Sequence, residues 1–106
     1  MINRLVKSMF SDQSILTFSF NVLRRYEHNI NNGTYFLYHI KSKEMWTGNR
    51  SSFEMLNIID GKKRLKDIYR ESQLVFSDFS INDIKNSINC ILNELIAKNF
   101  IIILEK

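Results

Sequence analysis

Proline is absent from this chain and glycine occurs only three times, so few positions are marked to break an element. The single cysteine, Cys90, excludes an intramolecular disulfide and fits a reducing compartment, with a cytoplasmic location as the expectation. Histidine is equally scarce. His28 and His39 stand eleven residues apart and far from Cys90, whereas metal sites need three or four clustered ligands, commonly in close pairs. No apolar run approaches the roughly 18 residues of a membrane-spanning helix. The first ten residues, Met1 to Phe10, carry two charges without a long apolar stretch or a small-residue cleavage site, and do not read as a signal peptide. A phosphate-cradling glycine loop and a Ser-His-Asp arrangement are also missing, and nothing in the sequence cues a base for Cys90. The expectation is a protein that is not an enzyme and that holds no cofactor and no metal.

What is present is a globular composition. Hydrophobic residues make up 44% of the 106 residues and aromatic ones 12%, enough for one core and too little for two. The formal net charge of +4 is uneven, at +3 over residues 1–48 and +1 over residues 49–106. A moderately basic first half suits an acidic peptide or nucleic acid; the second half has little long-range attraction for either.

Hydrophobic periodicity changes from two to 3.6 near Asn49. Before it, Val22–Glu27 reads as a strand, and Asn29–Gly33 supplies residues that tolerate positive φ in a hairpin loop. Thr34–Ile40, dense in aromatic and β-branched residues, is the second strand. After a turn at Lys41–Lys43, Glu44–Thr47 is a short third strand with Trp46 and Glu44 on one face. Beyond Asn49, Ser51-Ser-Phe-Glu54 resembles a capping box opening a helix, with Gly61 as its stop signal. A second helix spans roughly Leu65–Leu74. Ser80-Ile-Asn-Asp83 caps the longest helix, which runs to about Lys98 on the stripe Ile81, Ile84, Ile88, Ile91, Leu92 and Leu95. Phe100–Leu104 is a closing strand. Residues 1–20 lack a sustained period and read as a short strand or an N-terminal arm on a domain spanning 21–106. The fold expected is α+β: a small antiparallel three-stranded sheet followed by three helices, in a winged helix-turn-helix-like order.

Tyr35-Phe-Leu-Tyr38, Glu44-Met-Trp46, Asn49 opening a helix, the Asp60-Gly61 turn, Leu65-Lys-Asp-Ile68 and Leu95-Ile-Ala-Lys-Asn-Phe-Ile101 together resemble the PqqD-like family. This is the precursor-peptide recognition element of ribosomally made, modified peptides, and the resemblance covers about residues 22–102. It implies a peptide chaperone of bacterial natural-product biosynthesis that binds the leader segment of a precursor as an added strand. The partners it implies are that precursor (leader) peptide and a peptide-modifying enzyme or leader peptidase, with no membrane. The chain departs from the family at Gly48, where an aliphatic residue usually precedes the Asn, and at Arg64, where a Thr or Ser cap is usual.

The site this suggests has two walls. Lys43, Glu44, Met45, Trp46 and Thr47 form the strand that receives the peptide, while Lys85, Asn89, Leu92 and Ile96 form the helical wall. Leu92 and Ile96 have an equally good reading as a widened core stripe. Lys43 and Lys85 suggest an acidic residue in the leader. The competing expectation is a winged-helix DNA-binding regulator using Asn82, Asn86, Asn89 and Asn93. The third helix argues against nucleic acid, because Lys85 and Lys98 are offset by Asp83 and Glu94, leaving little counterion release. The basic cluster Lys62-Lys-Arg-Leu-Lys66 reads as a solvated turn or a docking point for an acidic group.

Overall fold

The computed structural model describes residues 10–106; the N-terminal stretch read above for a signal peptide falls largely on residues 1–9, outside the described residues. Five strands and three helices follow in the order β1 (Ile15–Phe18), β2 (Val22–Glu27), β3 (Thr34–His39), β4 (Met45–Asn49), α1 (Arg50–Leu56), α2 (Leu65–Val75), α3 (Ile81–Ala97) and β5 (Ile101–Glu105). The α+β class with antiparallel pairing and three helices after the strands agrees with the sequence reading. One difference is topological: there are two sheets, β2-β3-β4 and β1-β5.

The second sheet joins the two segments that were hardest to read. The segment expected as an arm or short strand forms β1, which pairs antiparallel with β5 through Leu16↔Ile103 and Phe18↔Ile101. Leu16 is fully buried, so this segment packs into the same core as residues 21–106. It also explains Arg64. No side chain caps α2; instead the Leu65 and Lys66 amides donate to the Ser14 and Asp12 carbonyls at 2.8 and 2.9 Å. Backbone from β1's approach thus satisfies amides that a Thr or Ser would otherwise cover.

In the three-stranded sheet, period-two alternation sends Tyr35, Leu37 and His39 inward and Phe36 and Tyr38 outward. Asn31, Asn32 and Gly33 adopt positive φ in the β2–β3 loop, as their types allow. The third strand ends at Asn49, two residues beyond the expected Thr47.

The first helix corrects the expected capping box. Asn49, not Ser51, is the cap: its Oδ1 accepts from the Ser52 amide at 2.9 Å and the Ser52 hydroxyl at 3.0 Å. Glu54 pairs with the Arg50 side chain at 3.4 Å rather than reaching back. The helix stops at Leu56, because the Ile58 and Ile59 amides turn to carbonyls three residues behind and tighten the chain. Ser80 caps α3 as expected, accepting from the Asp83 amide at 3.1 Å. Leu65, Ile68, Ile88, Leu92, Leu95 and Phe100 close the core between sheet and helices. Each such side chain contributes about 1.5–3 kcal/mol by burial.

Candidate functional site: the free edge of β4 and the flank of α3

β4 has a neighbour on one side only, among the described residues. The His39 amide donates to the Glu44 carbonyl at 2.9 Å, and the register pairs Leu37 with Trp46 and Phe36 with Thr47. Antiparallel alternation then turns Glu44, Trp46 and Gly48 toward β3, leaving the amides and carbonyls of Met45 and Thr47 at the free edge. β2 is the opposite edge, and it carries Arg24, Arg25 and Glu27. From Met45 to Asn49 β4 has no charge, so it lacks the charged guard that natural edges use against added strands.

Trp46 ties this edge to the long helix. Its indole N–H donates to Glu94 Oε1 at 3.1 Å, and the Lys98 ammonium donates to Glu94 Oε2 at 3.4 Å. The same ring accounts for Gly48. A Cβ at Gly48 would stand 2.5 Å from Trp46 Cη2 and 2.9 Å from Ser52 Cβ. Trp46 and Gly48 share the inner face of the strand, so the indole fills the space that a side chain at position 48 would occupy.

The nine residues expected at the site fall into three groups. Lys43, Glu44, Met45 and Thr47 are exposed along the turn and the strand, with Met45 at 59%, while Trp46 is buried beneath. Leu92, at 0%, and Ile96, at 8%, belong to the core, which settles them as the widened stripe rather than a wall. Lys85 and Asn89 face elsewhere. The Lys85 ammonium sits 5.4 Å over the Tyr69 ring of α2, and Asn89 Oδ1 accepts from the Tyr69 hydroxyl. At 3.6 residues per turn, Lys85 lies about 180° and Asn89 about 140° around α3 from Glu94, which marks the side facing β4. The flank beside the strand is therefore Asp83, Ser87 and Glu94, and the inference of an acidic leader residue drawn from Lys85 loses its footing.

Following β4 into α1, this flank opens on a cleft of about 200 Å³. Met55, Phe76, Phe79 and Ile84 give it apolar walls, and Ser51, Asp83 and Ser87 stand at its polar margin. Sequence reasoning missed it. The available signal was Phe76 and Phe79, two large apolar residues between helices that no periodic stripe absorbs; Phe79 is 57% exposed.

Elsewhere the titratable groups serve local structure. His39 is buried, its Nδ1 accepting from the Ser42 amide at 3.2 Å, and Cys90 is exposed. Burial pushes the Tyr69 phenol up to about 12. In the basic cluster, Lys63 pairs with Asp60 at 2.9 Å and Arg64 approaches Glu105 at 3.9 Å. Two amides and the Lys63 ammonium hold the Asp60 carboxyl well below the usual range. Among the described residues there is no group of three His, Cys, Asp or Glu side chains placed to share a metal ion, and no helix is long and apolar enough to cross a membrane. Compared with protein-family models, curated proteins and solved structures, the chain matches none.

Proposed function

We propose that this protein captures the leader segment of a ribosomally made precursor peptide as an additional strand on β4 and presents it, in the cytoplasm, to a modifying enzyme or leader peptidase. The observation that carries this reading is the uncharged free edge of β4, lying beside a helix flank that leads into an apolar cleft. Backbone pairing at Met45 and Thr47 supplies affinity with little sequence demand, and the cleft supplies choice. The order of three-stranded sheet and then three helices is the one that the PqqD-like resemblance implies, which supports this reading. The protein acts by holding its peptide, without chemistry of its own.

The test is a titration of a fluorescent candidate leader peptide against wild type and Thr47→Pro. Proline removes one edge amide without touching a bond to β3. Affinity should fall at least tenfold while circular dichroism stays unchanged. Unaltered binding by the folded variant rejects strand addition, and salt-steep binding to duplex DNA in place of peptide moves the function to regulation.

A further inference from the structure

Eleven side-chain carboxylates occur in the chain, all within the described residues, and seven of them are in ion pairs. Four have no ion pair among the described residues: Asp12, Glu44, Asp78 and Asp83. Glu44 precedes the free edge, Asp83 lines the cleft, and Asp78 lies in the turn immediately before Phe79. From Glu71 to Ile84 there are three carboxylates and no Lys or Arg, in a chain that is otherwise net basic. The same stretch exposes Leu74 at 78%, together with Val75 and Phe79. An apolar cleft with an acidic rim has a defined complement.

We propose that the cleft formed by Met55, Phe76, Phe79 and Ile84 selects a peptide that carries a large apolar side chain with a Lys or Arg within two residues of it. This rests on the strand-addition reading and names the chemistry of the peptide. In an added strand, residues i and i+2 share a face and stand roughly 6.6 Å apart. Asp83 and Ser87 are one turn apart on α3, about 6 Å along its axis, so in a strand that runs along α3 a side chain entering the cleft beside Ser87 sets its second neighbour level with Asp83. A cation there meets a carboxylate with no ion-pair partner among the described residues. An acidic residue there meets the like charge of Asp83 and is rejected. The acidic rim thus sets which peptide is accepted, reversing the charge that Lys85 had suggested.

The experiment uses the full chain and three acetylated nine-residue Thr/Val peptides. One has a central Phe with Lys two residues to either side, one has Glu in place of Lys, and one keeps Lys but replaces Phe by Ser. Fluorescence anisotropy against wild type should give at least tenfold tighter binding of the Lys–Phe peptide than of either other, equivalent to about 1.4 kcal/mol. In Asp78→Asn/Asp83→Asn the Lys-over-Glu preference should collapse to within twofold, and in wild type it should shrink as salt rises. Equal affinity for the Lys and Glu peptides overturns the inference while leaving strand addition intact, provided Thr47→Pro weakens both. A Lys–Phe preference that survives Thr47→Pro at full affinity supports the cleft and overturns strand addition instead. Absence of binding by all three peptides at millimolar concentration removes both.

Discussion

The two flanks of α3 are built from similar residues and face different worlds. One carries Asp83, Ser87 and Glu94 and looks across to β4 and α1, where Glu94 holds the Trp46 indole and Asp83 stands open at an apolar cleft. The other carries Lys85 and Asn89 and looks across to α2, where both are occupied by Tyr69. Between them runs the buried stripe of Ile84, Ile88, Leu92 and Leu95. The difference teaches that a polar helix flank is available to a partner only where the neighbouring element leaves it unengaged. Side-chain chemistry alone does not separate the two.

The largest effect expected tests the stripe that divides the flanks. Leu92→Glu places a carboxylate where no atom meets solvent. Loss of the leucine alone costs about 2–5 kcal/mol, and the buried charge adds to it. Chemical denaturation should find the variant largely unfolded. A folded Leu92→Glu protein with near-native stability would mean that Leu92 belongs to an open wall after all.

Next comes the contact that joins the Glu94 flank to the strand. Gly48→Val forces the Trp46 ring from its place, at a cost of about 1–3 kcal/mol for overpacking. Tryptophan emission should shift to the red as the indole leaves Glu94. Adding Trp46→Ala should recover part of the lost stability, because the valine then occupies the vacated space. If the double variant is as unstable as the sum of the singles, the two positions do not share that space.

How much of this was legible in the sequence follows from what each signal encodes. Period-two and period-3.6 patterns record burial, so β2, β3, α2 and α3 came out within a residue or two, as did the Ser80 cap. Asn49 was expected to open the first helix from the family resemblance, yet the local motif placed the cap at the Ser51–Glu54 pair, because both caps use the same residue types. Pairing of β1 with β5 joins residues 87 positions apart at Leu16 and roughly as many elsewhere, a distance over which no local pattern speaks. For the site, the helical wheel located the stripe correctly but is symmetric about it. Choosing the Lys85 flank over the Ser87 flank required knowing on which side α3 meets the sheet, and that is set by chain path. The role of Gly48 depended on where the Trp46 ring lies, a rotamer fact that no spacing contains.

The flanks themselves can be compared directly with one bulky residue on each. Ser87→Trp narrows the cleft and should weaken peptide binding by at least tenfold, about 1.4 kcal/mol. Asn89→Trp, on the Tyr69 side, should leave affinity within twofold once circular dichroism shows it folded. The reverse ranking would restore Lys85 and Asn89 to the site and remove the cleft from it.

The smallest effect belongs to the flank that faces α2, and it is read through Tyr69. Burial is the main reason its phenol is pushed up to about 12, with the Asp12 carboxylate adding to the rise. A folded-state value above the unfolded value of about 10 favours the protonated form in the native state. The corresponding stability is therefore present in full below pH 10 and is lost as pH climbs from 10 toward 12. Spectrophotometric titration, restricted to the pH range where circular dichroism reports an intact fold, should show a last tyrosine step that belongs to Tyr69. In Tyr69→Phe that late step should vanish, and in Asp12→Asn it should move to lower pH. A late step that survives Tyr69→Phe unchanged belongs to another buried phenol, Tyr35, whose value burial also raises, and would show that the α2-facing flank is wetter than its packing against Tyr69 implies.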